Sequence, residues 1–108
     1  MKKMQKIIIT AATVLFLSTP VYAKDTFEFC GKISNLAETV MMKRQDGISM
    51  KAMMEVVIKQ GGPTDMMKSM VIDAYKQPRM HVAENAHRIV VDFKNTWYMM
   101  CLKAMGEK

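Results

Sequence analysis

The chain is short of nearly everything that chemistry in a small protein needs. Ser34, Ser49 and Ser69 have no glycine-flanked turn around them, no His-x-x-x-His pair occurs, and there is no glycine-rich phosphate loop. Acidic residues are scattered singly. These absences argue against an enzyme, and no cofactor is expected. Runs of alternating polar and apolar residues, the signature of half-buried strands, are also missing. The two cysteines are not in a Cys-x-x-Cys spacing, which leaves a thiol redox centre or a cysteine metal site without support. The one sustained apolar run, Ile7 to Leu17, is too short for a comfortable membrane span.

That run has a different use. Lys2, Lys3 and Lys6 precede it, Ser18, Thr19 and Pro20 break it, and Val21-Tyr22-Ala23 places small or aliphatic residues ahead of Lys24. The order is that of a secretory signal over residues 1–23, which predicts a periplasmic or secreted protein. No cysteine follows the cut, which argues against a lipid anchor. Residues 24–108 then form a single helical domain with one modest core. Removing three lysines changes the balance from 16 basic and 10 acidic residues to 13 and 10, so the formal charge falls from +6 to +3. So mild a charge, spread along the helices, gives no reason to expect nucleic acid.

Cys30 and Cys101 both belong to the exported part, where oxidising conditions let a disulfide persist. Closing a loop of about 70 residues restricts the unfolded chain by roughly 4 kcal/mol in the chain-entropy account.

Four helices are expected. Asp25 is placed to cap the first, with Glu28 three residues on as in a capping box. Phe29, Ile33, Leu36, Ala37 and Val40 then recur at helical spacing over 26–45, and Gly47 stops it. Ser49 opens the second, with Met50, Met53, Met54, Val57 and Ile58 in one stripe ended by Gly61 and Gly62. Pro63 begins the third, at its first position or just before Thr64 as cap, and Met67, Met70, Val71, Ala74 and Tyr75 share a face before Pro78 closes it. The fourth runs over 81–104 with Val82, Ala86, Ile89, Val90, Phe93, Trp97, Met100, Cys101 and Ala104 on one side. The fold class is therefore all-α: a small bundle of about four helices, the first and last antiparallel and linked by one disulfide.

Methionine is the compositional anomaly, at 14 residues in the whole chain. Thioethers suit Cu(I) or Ag(I), and Met50-x-x-Met53 and Met67-x-x-Met70 are candidate ligand pairs. Both pairs also fall within the apolar stripes, where flexible methionine fills a core regardless of metal. His81 and His87, six residues apart, sit on different faces of the fourth helix and add little to such a site. Helix four carries a second apolar set, Val91, Tyr98, Leu102 and Met105, opposite Phe93 and Trp97. Such a helix is either central, with helix one on one face and helices two and three on the other, or it leaves that second set as a contact surface that Met99 and Met42 extend. Two further segments, Arg44-Gln45-Asp46-Gly47 and Tyr75-Lys76-Gln77-Pro78-Arg79, are explained as helix C-termini, with Arg79 reaching the last carbonyls of the third helix.

Cys30 opening a helix, Arg44-Gln45-x-Gly47, Met53-Met54, Ala74-Tyr75-x-x-Pro78-Arg79, Asp92-Phe93 and Tyr98-x-x-Cys101 together resemble a group of small exported single-disulfide proteins of Gram-negative bacteria and their phages. The resemblance implies a secreted helical domain and brings no activity with it. In size and architecture the chain is also similar to periplasmic acid chaperones and to small phage-encoded periplasmic lysozyme inhibitors. The expected function is binding of another protein or a second copy of the chain, as inhibitor or modulator of an envelope or phage enzyme. The alternatives are an acid-stress holdase chaperone and a methionine-rich Cu(I)/Ag(I) carrier.

Overall fold

The computed structural model describes residues 24–106, so the secretory signal expected over 1–23 lies outside the described residues. Four helices follow one another: α1 (Lys24–Gln45), α2 (Met50–Lys59), α3 (Thr64–Lys76) and α4 (Ala83–Gly106). The described residues contain no strand. Cys30 in α1 and Cys101 in α4 form the disulfide, with their Cα atoms 5.6 Å apart. The described residues thus form the all-α, four-helix, singly cross-linked arrangement that the helical periodicity and the cysteine pair predict.

Direction follows from the cross-link and the turns. α1 leaves the disulfide end and α4 returns to it, so the two are antiparallel and form the most extensive helix pair. Asp73 of α3 lies against Trp97 of α4, while Met66 meets Met100 and Ala104, so α3 also runs antiparallel to α4. The four helices alternate up and down.

The central helix is α1, not α4. α1 packs against all three others. One buried band, Ile33, Ala37 and Val40 flanked by Phe29 and Leu36, is the stripe visible in the sequence. The second consists of Thr26, Cys30, Ser34, Met41 and Gln45. Three of these five are polar, which is why a hydrophobic pattern does not reveal the band. Ser34 is small enough to lie close to α4 and donates to the Lys94 carbonyl at 3.4 Å, and Glu38 beside it accepts from Lys94 Nζ at 3.0 Å.

The core also takes Met53 and Val57 from α2, Met67, Met70, Val71 and Ala74 from α3, and Val90, Phe93, Trp97 and Cys101 from α4. Fully burying side chains of this size contributes about 1.5–3 kcal/mol each. The ends of the expected stripes are less covered. Met50 and Ile58 are exposed because α2 is only 10 residues long. Met100 is exposed on the side toward α3, beside a gap between the helices.

Local chemistry sets the helix limits. Ser49 caps α2, its hydroxyl accepting from the Ala52 amide at 3.2 Å. Pro63 itself occupies the cap position of α3, and Thr64 is the first helical residue. Asp25 lies within α1 and so is not its cap; its carboxylate instead sits in the first described turn. His81 and Val82 precede α4, so the two histidines do not share a helix, and Val82 is exposed rather than core.

Candidate partner-binding surface

At the end away from the disulfide, two segments that look like independent helix stops lock into one another. α1 finishes in a Schellman turn: Ile48 N–H donates to the Lys43 carbonyl at 3.0 Å and Gly47 N–H to Arg44 at 3.1 Å. Gly47 has φ +91°, open to glycine and strained for other residues. The Gln45 carbonyl, one of the orphans of the helix end, accepts from Arg79 Nε at 2.9 Å. Arg79 therefore caps α1, not α3 as its sequence position suggests.

The favour is returned. Pro78 stops α3 and leaves the carbonyls of residues 77 and 78 without helical partners. Arg44 donates to the Gln77 carbonyl through Nε at 3.3 Å and Nη2 at 3.1 Å. The buried Gln45 amide donates to the Pro78 carbonyl at 3.0 Å and accepts from the Met80 amide at 2.7 Å. The Arg44 guanidinium lies 5.0 Å from the centre of the Tyr75 ring, and the Tyr75 hydroxyl donates to the Ile48 carbonyl. Burial raises the Tyr75 phenol above its ordinary range, while the neighbouring Arg44 cation pulls it down. This corner fixes where α4 starts relative to where α1 ends.

The pairing of these segments is the main feature that spacing alone misses. Arg44 and Arg79 were each assigned to their own helix end because a local pattern contains no information on which end lies opposite. No buried side-chain nitrogen or oxygen among the described residues lacks a partner, so the corner carries no spare polar group aimed at a ligand.

The second apolar set of α4 has a different environment. Val91, Tyr98, Leu102 and Met105 are all half-buried. Tyr98, Leu102 and Met105 pack along the edge of the core, and the Met105 sulfur lies 4.0 Å from that of Cys30. At 100° per residue these four side chains fall on the side of α4 turned away from α3. They are neither wholly covered nor a flat open patch. Met99, three residues before Leu102 on α4, is 58% exposed and carries this line outward, whereas Met42 of α1, 50% exposed, stands apart from it. Between the same helices, near the other end, lies a groove of about 420 Å³ lined by Glu38, Met42, Asp46, His87 and Val90.

The suggested methionine ligands are not brought together as an accessible site. Met53, Met67 and Met70 are at most 8% exposed in the core, and Met50 is on the surface. Among the described residues there is no cluster of three or more His, Cys, Asp or Glu side chains fit to hold a metal ion, and no helix is long and apolar enough to cross a membrane. Compared with known protein families, curated proteins and solved structures, the chain matches none.

Proposed function

We propose that this is a small exported protein, not an enzyme, that acts by binding another protein through the outer surface of the α1–α4 pair, and that its partner is an enzyme of the envelope or of an invading phage. The observation that carries the proposal is the half-buried line Val91, Tyr98, Leu102 and Met105 continued by exposed Met99. Half-buried anchors backed by a packed core lose little side-chain freedom on binding, which suits a recognition surface. The disulfide fits export to an oxidising compartment such as the periplasm.

The test is native mass spectrometry of the protein isolated gently from its host, alongside Met99→Asp and Leu102→Asp variants. A bound protein or second copy that both variants lose, with helical circular dichroism unchanged, is expected. Equal recovery of the complex with both folded variants would exclude this surface. A holdase chaperone is the second reading, favoured by exposed Val56, Ile58, Ile72 and Val82 dispersed over the other elements. It predicts suppression of client aggregation at acid pH by the wild type and by both variants alike.

A further inference from the structure

We propose that Met66, Trp97 and Met100 form a site for a soft monovalent cation, Cu(I) or Ag(I), independent of the partner surface. The three side chains line one pocket of about 180 Å³ between α3 and α4, together with buried Ile33 and Cys101 and exposed Ala104. None of these six residues carries a carboxylate, imidazole or amide side chain. Hard cations need oxygen ligands, so this lining has nothing to offer calcium or magnesium. It offers two thioether sulfurs and an indole face, a donor set that selects a polarisable ion of low charge.

Three details favour a working site over a gap in packing. Trp97 is only 9% exposed, and its ring is held by the Nε1–H bond to Asp73 Oδ2 at 3.0 Å, so the π face has a fixed direction. The Asp73 carboxylate that accepts this hydrogen bond also enriches the indole in electron density, which strengthens its attraction for a cation. Met66 is half-buried and Met100 is 43% exposed. Neither side chain is locked in the core, and the rotatable bonds of methionine let a thioether reorient toward a bound ion. Both cysteines are in the disulfide, so no thiolate competes for the ion. The ligand pairs suggested by sequence spacing fail this test of access, because Met53, Met67 and Met70 already fill the core.

The chain has one tryptophan, so its emission reports on this pocket directly. The oxidised protein is titrated with silver nitrate in chloride-free buffer, and with Cu(I) in competition with bicinchoninate, while Trp97 fluorescence and the native mass are followed. Saturable quenching at one ion per chain is expected, and it should be lost when Met66→Leu and Met100→Leu are combined. Leucine conserves volume closely enough to keep the fold, which circular dichroism checks. A Met42→Leu/Met99→Leu variant, altered only at exposed methionines outside the pocket, should bind like the wild type. Absence of quenching, quenching that survives in the Met66→Leu/Met100→Leu protein, or equal loss in the Met42→Leu/Met99→Leu protein would each overturn the site. None of these results bears on partner binding, which the Met99→Asp and Leu102→Asp variants test separately.

Discussion

Replacing Gln45 by leucine should destabilise the protein by about 2 kcal/mol. The side chain is buried, and its amide serves two backbone groups beyond α3, the Pro78 carbonyl at 3.0 Å and the Met80 amide at 2.7 Å. Leucine fills the space but leaves both groups without their partner. A fully buried orphan costs about 1–3 kcal/mol. Pro78 is exposed and Met80 half-buried, so water recovers part of each loss and the low end applies, about 1 kcal/mol per group. In a domain of this size 2 kcal/mol lowers Tm by about 8–16 °C. The assay is urea and thermal unfolding followed by circular dichroism with the disulfide intact, together with hydrogen exchange at the Met80 amide. Gln77→Ala is the control: Gln77 contributes its backbone carbonyl to Arg44, so this substitution should stay within about 0.5 kcal/mol of wild type. If Gln45→Leu is equally neutral, or if Met80 keeps its exchange protection, the amide is not what holds the corner and the account is wrong.

Three further outcomes follow from the same contacts. Converting both Cys30 and Cys101 to alanine should lower unfolding free energy by roughly 4 kcal/mol in urea titration, because the bond closes a separation of 71 residues; a loss under about 1 kcal/mol would refute the chain-entropy account of this bond. Gly47→Ala should destabilise by about 1–2 kcal/mol, since φ is +91° and a Cβ there would lie 3.0 Å from Arg79 Nη2; an unchanged urea midpoint would show that Arg79 is not docked on the turn. Burial raises the Tyr75 phenol, so its stabilising contribution is complete below the unfolded phenol's pKa of about 10 and is lost as pH climbs through the higher folded value. The stability difference between wild type and Tyr75→Phe should therefore shrink between pH 8 and pH 11, and a constant difference would refute the assignment.

The helices themselves were legible because their signals are local. Ser49 before Met50, Gly47 in its left-handed turn, the Gly61-Gly62 pair and Pro78 all act within a few residues of where they stand. The disulfide was legible from compartment and parity. What was hidden depends on which elements meet. The second buried band of α1 contains Thr26, Ser34 and Gln45, polar residues that only tertiary neighbours make core, as Lys94 of α4 does for Ser34 and Pro78 and Met80 do for Gln45. The exchange of Arg44 and Arg79 between helix ends is likewise invisible until the ends are known to be neighbours. For the same reason methionine spacing points to Met50, Met53, Met67 and Met70, whereas Met66 and Met100, which share a pocket, come from different helices.

These placements also constrain where the proposed binding would take place. The α1–α4 pair is tied at both ends, by a covalent bond at Cys30 and Cys101 and by the Gln45 amide and Arg79 guanidinium at the other. A surface fixed at both ends is ordered before a partner arrives, which removes one of the main costs of association. The polar groups of the corner are already occupied with one another, so the proposed recognition would fall to side chains outside it. On α4 the side chains outside the corner divide by direction: Val91, Tyr98, Leu102 and Met105 face away from α3, whereas Trp97, Met100 and Ala104 border it. Substitutions on one side leave the other intact, so a partner surface and a soft-cation pocket are separable within a single helix.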